Sequence, residues 1–481
     1  MSAALPVDSP FDATPDAAID AIVAHAGPVF VDLDETLYLG NSTEDFINLA
    51  RPGLLAVLLL RALDLLRPWR WTGGETTRDV WRVRLVRTLF PWTRLRWRHA
   101  VSGYADQYGN RPLIEALRRC SLAPVIVTAG FQPIVAPLVA ALGFSDARIV
   151  AARLSSFEDR RLGKLHNATR TLGQDVVGAS LLVTDSVDDL AMLQHCARPI
   201  RTIWPAARFR RALSHIYLPG EYVARVKRPG AHYILRVVLI EDLAFWILAS
   251  IALAAHPSLH VVGLALLLMS FWCIYERGYV DNDRVAAQFE HNPKLSEAYW
   301  EAPVATPRWQ PWIWALLSGA LAIYLLRWPR AAETWPVDLA RWTGVLIGTY
   351  GCFKLYNRLD KSTRVWLFAL LQMARSAALL VLVPVSAVGA IGLGAHGLSR
   401  WVPYYIYRLD AHKDWPKAQP QIIRILFFVL LTAILGLSHN APVLTWTTLM
   451  LLLYSIYRAR VELKSLLGRA HRIDRDGNAQ P

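Results

Sequence analysis

The run 29–37, Val29-Phe30-Val31-Asp32-Leu33-Asp34-Glu35-Thr36-Leu37, decides how the first half of this chain folds. Three apolar residues lead into two aspartates one residue apart, with a threonine two positions further on. Alternate side chains of a strand share a face, so Asp32 and Asp34 leave the strand end together. Two later stretches repeat the pattern of an apolar run that ends in polar residues. Residues 123–130 (APVIVTAG) read as a strand entering a turn, and residues 181–186 (LLVTDS) follow the turn signal at Gly178. Strand–helix alternation with carboxylates at strand ends predicts an α/β fold with a parallel sheet and a site at its carboxyl edge.

Working outward, the averages of 54% apolar and 19% charged residues over 481 positions hide a split. Residues 25–215 read as a soluble α/β domain after a tail of 1–24, whereas 234–460 carries long, nearly uncharged runs of membrane-spanning length. Residues 216–233 read as a linker or interfacial segment, and 461–481 as a basic polar tail. The net charge of +14 accumulates at the ends of the apolar runs, which fits membrane orientation and not a nucleic-acid partner. Cys120, Cys196, Cys273 and Cys352 lack metal-ligand spacing, which argues against a zinc site or a disulfide framework. The acidic N-terminus has no signal-peptide core, so the α/β domain is expected in the cytoplasm.

A helical, basic insertion follows Asp34 at about 40–110. It holds the apolar run 53–66, interrupted by Arg61 and Asp64, and then Trp69, Arg70, Trp71, Trp81, Trp92 and Trp97. This reads as an interfacial helix pair dipping into lipid headgroups. A packed cap core is the alternative.

The residues needed for phosphoryl chemistry come in order along 25–205. Thr128 ends the strand VIVT, where its hydroxyl and the amides of Ala129 and Gly130 can hold a phosphoryl group. Lys164 follows Gly163 and can neutralise phosphate charge, and Asp185 and Asp189 supply carboxylates for Mg²⁺. The set resembles the four motifs of the haloacid dehalogenase (HAD) superfamily of phosphatases. That resemblance implies Asp32 as nucleophile and Asp34 as acid and base. It also implies that Asp32, the carbonyl of Asp34 and Asp185 hold Mg²⁺, with Asp189 orienting them. Glu35 stands where the family usually has glycine, and Thr184 where a glycine is common. The insertion looks like a cap of this superfamily, and its tryptophans favour a substrate held at the membrane surface.

In the second half, spans are expected near 234–255, 260–279, 310–327, 342–356, 365–384, 386–406, 424–438 and 443–457, eight or nine in all. Arginine and lysine concentrate in the loops after the even-numbered spans, which predicts a multi-pass bacterial inner-membrane protein with both termini cytoplasmic. The loop 276–294 (ERGYVDNDRVAAQFEHNPK) resembles the first aspartate motif of the UbiA family of intramembrane prenyltransferases. Asn282 and Asp283 match its start, Ala286 replaces the middle aspartate, and Glu290 stands for the last. Lys294, Tyr356, Lys361 and Arg375 fall where that family places substrate-binding groups, and Asp410, Lys413 and Asp414 lie where its second aspartate motif belongs. The resemblance implies an all-α UbiA-like domain in which Asp283, Glu290, Asp410 and Asp414 clamp Mg²⁺-pyrophosphate. Loss of the middle aspartate leaves room for one metal, held with Asp281.

Together the two resemblances imply a bifunctional enzyme. It would transfer phosphoribose from phosphoribosyl pyrophosphate to a polyprenyl phosphate and remove the sugar 5-phosphate, toward a lipid-linked pentose (arabinose) donor for the cell envelope. Two alternatives stay open. One is a phosphatase whose UbiA-like domain only holds lipid; the other is a prenyltransferase acting on an aromatic or other acceptor.

Overall fold

The structure, a computed structural model, describes residues 10–301, 308–329, 331–360, 363–409, 419–439 and 442–469. Lys361, Asp410, Lys413 and Asp414 lie outside these residues. The chain divides after Ile216 into two units.

The first unit is built on five parallel strands in the order β3-β2-β1-β4-β5. They are β1 (Val29–Val31), β2 (Val125–Phe131), β3 (Arg148–Ala152), β4 (Leu181–Thr184) and β5 (Arg198–Arg201). β1 is central and buried along its whole length, as a strand covered on both faces must be. Phe30, Val127, Val150 and Leu182 bring four strands into one apolar core. Val31 pairs with Ile126 and Val183, so Asp32 emerges between the middle of β2 and the end of β4.

Ten α-helices accompany the sheet among the described residues of this unit: α1 (Pro15–Val23), α2 (Ser42–Asn48), α3 (Gly53–Leu66), α4 (Arg78–Leu89), α5 (Thr93–Tyr108), α6 (Arg111–Arg118), α7 (Gln132–Ala141), α8 (Glu158–Leu172), α9 (Gln174–Gly178) and α10 (Leu190–Leu193). The expected insertion is thus α2 to α5. The expected N-terminal tail needs correction. Thr14 caps α1 with Pro15 in the first turn, Phe11 packs on the sheet core, and Asp12 pairs with buried Arg201.

The second unit is helical. Eight helical segments cover the places where spans are expected, among the described residues: 234–250, Pro257–Phe289, Gln310–Leu326, Ala331–Tyr356, 365–381, Ala387–Leu409, Pro420–His439 and Trp446–Arg469. Of these, Pro257–Phe289 and 420–438 are long and apolar enough to cross a membrane by length and composition. The others are short or carry charge: Gln310–Leu326 has 17 residues, and Ala331–Tyr356 contains Asp338, Arg341 and Lys354. The segment expected as a linker folds into this unit instead. The Tyr217 hydroxyl and the amides of Gly220 and Val223 donate to the buried carboxylate of Glu276, at 2.6, 2.8 and 2.8 Å. A buried carboxylate recruits donors in this way because it is costly to leave bare.

Candidate functional site

After β1 the backbone turns back on itself. Glu35 donates its amide to the Gly40 carbonyl and Tyr38 donates to Leu33, which closes the loop that carries Asp34. The turn needs Glu35 at φ 61, in the left-handed region where glycine is at ease and a side chain costs roughly 1 kcal/mol. Thr36, inside the same turn, donates its hydroxyl to Asp185 at 3.0 Å and so joins the ends of β1 and β4.

Asp32, Lys164 and Asp189 converge. Lys164 Nζ lies 2.6 Å from Asp32 Oδ2 and 2.7 Å from Asp189 Oδ2, with all three side chains nearly buried. Gly163, at φ 83, breaks α8 immediately before Lys164, and a side chain there would be strained. Asp32 also receives the Leu33 amide at 2.7 Å. Asp34 accepts the Ser42 amide, the first residue of α2, at 2.7 Å. Burial pushes Asp32 up to about 7, opposed by Lys164 and reinforced by the charges of Asp189 and Asp185. Burial likewise pushes Asp34 up to about 6 against its bond from Ser42, and Asp185 up to about 6 with Glu35 repelling it. Burial opposes the charge on Lys164, yet Asp32 and Asp189 hold it above the ordinary lysine value.

Thr128 is buried in the middle of β2 and not at its end as expected: the strand runs on to Phe131 past an irregularity in its pairing after Val127, and the Thr128 hydroxyl accepts the Gly130 amide at 3.0 Å. The structure adds two residues that the sequence reading did not assign. Thr184 Oγ1 donates to Asp189 at 2.6 Å and stands 3.3 Å from Asp32, so it orients both carboxylates. Arg160 Nη1 binds the Ala129 carbonyl at 2.6 Å and places a guanidinium beside the stretch of β2 that follows Thr128. Thr184 was visible only as a departure from glycine, and Arg160 was one of several arginines in a basic loop.

Among the described residues no three His, Cys, Asp or Glu side chains converge as a ready-made metal cluster. The donor set nonetheless suits Mg²⁺. Asp32, Asp34, Asp185 and Asp189 are all hard oxygen donors, and Glu35 repels Asp34 as well as Asp185. Lys164 is the cation that bridges this set, so carboxylates outnumber positive charge. A divalent cation would restore the balance.

The acidic residues expected to clamp a metal in the helical unit are paired with cations instead. Asp283 accepts from Tyr222 at 2.8 Å and pairs with Lys227. Asp281 meets Arg277 at 2.7 Å, Lys354 at 3.0 Å and Tyr350 at 2.9 Å. Glu290 meets Arg364 at 2.9 Å, and Lys294 contacts Tyr407. Arg375 is buried against Asp242 at 2.8 Å. Asn282, Tyr356 and Arg375 do share one cavity, of about 440 Å³, together with Lys227, Arg400 and Tyr404.

Comparison with known proteins agrees with the first unit's geometry. Residues 29–194 match the family model of haloacid dehalogenase-like hydrolases, and this stretch is a HAD-like hydrolase domain. The match covers less than half of the chain. No curated protein and no solved structure matches the chain.

Proposed function

We propose that the HAD-like hydrolase domain is a Mg²⁺-dependent phosphomonoesterase with Asp32 as its nucleophile. The observation that carries this reading is the bridge from Lys164 to Asp32 and Asp189. It holds the nucleophile in one orientation and supplies positive charge where a phosphoryl group would arrive. An Asp32 oxygen attacks phosphorus, the bond to the leaving alkoxide breaks, and an aspartyl-phosphate forms. Asp34, kept partly protonated near neutral pH by burial, gives its proton to the leaving oxygen. As a carboxylate it then takes a proton from the water that attacks the aspartyl-phosphate. The Thr128 hydroxyl, which already holds the Gly130 amide, and Lys164 would meet the phosphoryl oxygens. Mg²⁺, held by Asp32, the Asp34 carbonyl and Asp185 with Asp189 behind them, would neutralise phosphate charge. Asp32→Asn tests the assignment on a soluble phosphomonoester. Phosphate release should fall to background while the fold, read by circular dichroism, is kept, and normal release would refute the nucleophile.

The helical unit supports a second reading, because Asn282, Tyr356 and Arg375 line one cavity. On this reading the unit is a divergent UbiA-type domain in a bacterial-type inner membrane, with both termini cytoplasmic. It would transfer phosphoribose from phosphoribosyl pyrophosphate to polyprenyl phosphate, and the phosphatase would remove the sugar 5-phosphate. The paired states of Asp281, Asp283 and Glu290 favour a version in which the domain only holds lipid. Transfer to an aromatic or other acceptor is the third version. Incubation with both substrates and Mg²⁺, followed by lipid analysis, separates the first version from lipid holding, and the same incubation with a prenyl pyrophosphate and an aromatic acceptor tests the third. A phosphoribosylated lipid supports transfer, and its absence supports lipid holding.

A further inference from the structure

The apolar face of α3 is turned outward. Leu54, Leu55, Leu58, Ala62, Leu65 and Leu66 are all exposed, and at about 100° per residue they fall within one arc of the helix. Leu65 is 83% exposed, Leu66 72%, and Trp71 beyond them 84%. Ala56, Val57 and Leu63, on the opposite side, are the residues that pack inward. A helix of a globular protein normally does the reverse. The sequence 53–66 alone did not distinguish a packed cap from an interfacial helix, since both use leucine.

Both ends of this face carry tryptophan and arginine. At the C-terminal end Arg67 and Arg70 are exposed beside Trp71. At the N-terminal end Trp92 donates its indole N–H to the Arg51 carbonyl at 2.8 Å, which fastens it beside the start of α3. Around Trp92, Leu89 and Leu95 are exposed, as are Arg94, Arg96 and Arg98. Between Asp79 and Asp106 the chain has six arginines (Arg82, Arg84, Arg87, Arg94, Arg96 and Arg98) and no aspartate or glutamate. The start of α3 also packs on Ile216, the last residue of the first unit. From there the chain runs on into the unit that contains the two helices long enough to cross a membrane.

We propose that the α3 face, flanked by Trp71 and Trp92 and by these arginines, docks on the headgroup region of an anionic lipid bilayer. Leucines on one side, tryptophan at the interface and arginine toward phosphate are what that environment selects. A protein partner would be expected to match the face with carboxylates and shape. A bilayer needs only an apolar strip between cationic margins. Continuity with the helical unit keeps such a surface within reach. The inference concerns lipid contact alone, so it stands or falls apart from the phosphatase chemistry.

The full chain, with Cys120 and Cys352 replaced by serine, tests it. A Leu65→Cys variant carries an environment-sensitive fluorophore in nanodiscs of phosphatidylcholine and phosphatidylserine with brominated acyl chains. A Glu115→Cys variant, labelled on the exposed side of α6, is the control. The probe at position 65 should be blue-shifted and quenched by bromine, and the probe at 115 neither. Leu58→Glu or Ala62→Glu should lower the docked-to-undocked ratio at least about tenfold with an unchanged melting temperature. Using both guards against one of them misfolding. A probe at 65 as wet as the probe at 115 would overturn the proposal. A shielded but unquenched probe would also overturn it, because a protein surface, such as a second copy of the chain, would then be the occupant. Equal quenching without phosphatidylserine would overturn the anionic assignment.

Discussion

Lys164→Ala puts the site's charge balance to a direct test. The ammonium bridges Asp32 at 2.6 Å and Asp189 at 2.7 Å, and its side chain is 12% exposed. Removing one partner from a buried pair costs roughly 3–5 kcal/mol, because the remaining charge is left uncompensated. Here each carboxylate keeps one other donor, the Leu33 amide for Asp32 and the Thr184 hydroxyl for Asp189, which favours the low end. A loss of about 3 kcal/mol lowers the melting temperature of a domain this size by roughly 6–12 °C. Mg²⁺ at about 100 times its dissociation constant should return roughly 2.7 kcal/mol, nearly the whole loss. Turnover should not return with it. An electrostatic group aimed at the transferring phosphoryl is worth about 10²–10³ in rate, and a metal bound to the carboxylates would not supply the N–H donors that Lys164 loses. Scanning calorimetry with EDTA and with Mg²⁺, beside phosphate release from a soluble monoester, separates the two effects. Unchanged melting in EDTA together with a rate within tenfold of wild type would refute the charge argument.

Three further substitutions probe neighbouring claims. Glu35→Gly relieves a left-handed backbone position and removes a charge that repels Asp34 and Asp185, so it should stabilise the first unit by roughly 0.5–1 kcal/mol in thermal melts. Thr184→Val keeps the shape but removes the donor to Asp189, a hydrogen bond to a charged acceptor; it should cost about 1.5–3 kcal/mol and slow phosphate release. In the helical unit, Arg375→Leu leaves Asp242 with Arg400 at 3.0 Å and His396 at 3.1 Å, so the loss should sit near the low end of roughly 3–5 kcal/mol, read as heat-induced aggregation in detergent.

The sheet was legible because burial on both faces forces an unbroken apolar strand, as in Val29–Val31, and because the two aspartates that follow mark where that strand ends. The residues that orient the site were less legible. Thr36 and Thr184 act through hydroxyls whose partners lie far away in sequence or across the sheet, and a threonine carries no spacing signal of its own. Tail and linker were misread for a related reason. Segments 10–24 and 217–233 look polar and irregular, yet Arg201 and Glu276 draw them in by charge and hydrogen bonds that periodicity does not record.

In the helical unit the charges do something a motif alone does not specify. An aspartate at a helix end in an apolar setting either holds a cation from outside or meets one from its own chain. Asp283, Asp281, Glu290 and Asp242 all meet arginine, lysine or tyrosine from neighbouring helices. Their sequence context is the same in either case, because the partners Lys227, Lys354, Arg364 and Arg375 sit on other segments. The distinction lies in packing. A carboxylate already satisfied by a cation on its own chain gains little from a metal, since the metal must first displace that partner and leave it buried without one. The carboxylates around Asp32 are the opposite case. Several share Lys164, burial raises Asp32 and Asp185 together, and an added divalent cation has charge to neutralise. Among the described residues, then, the same residue type stands in excess over its cations around Asp32 and is matched by cations in the helical unit, and that ratio is what a metal-binding assay on each unit would read.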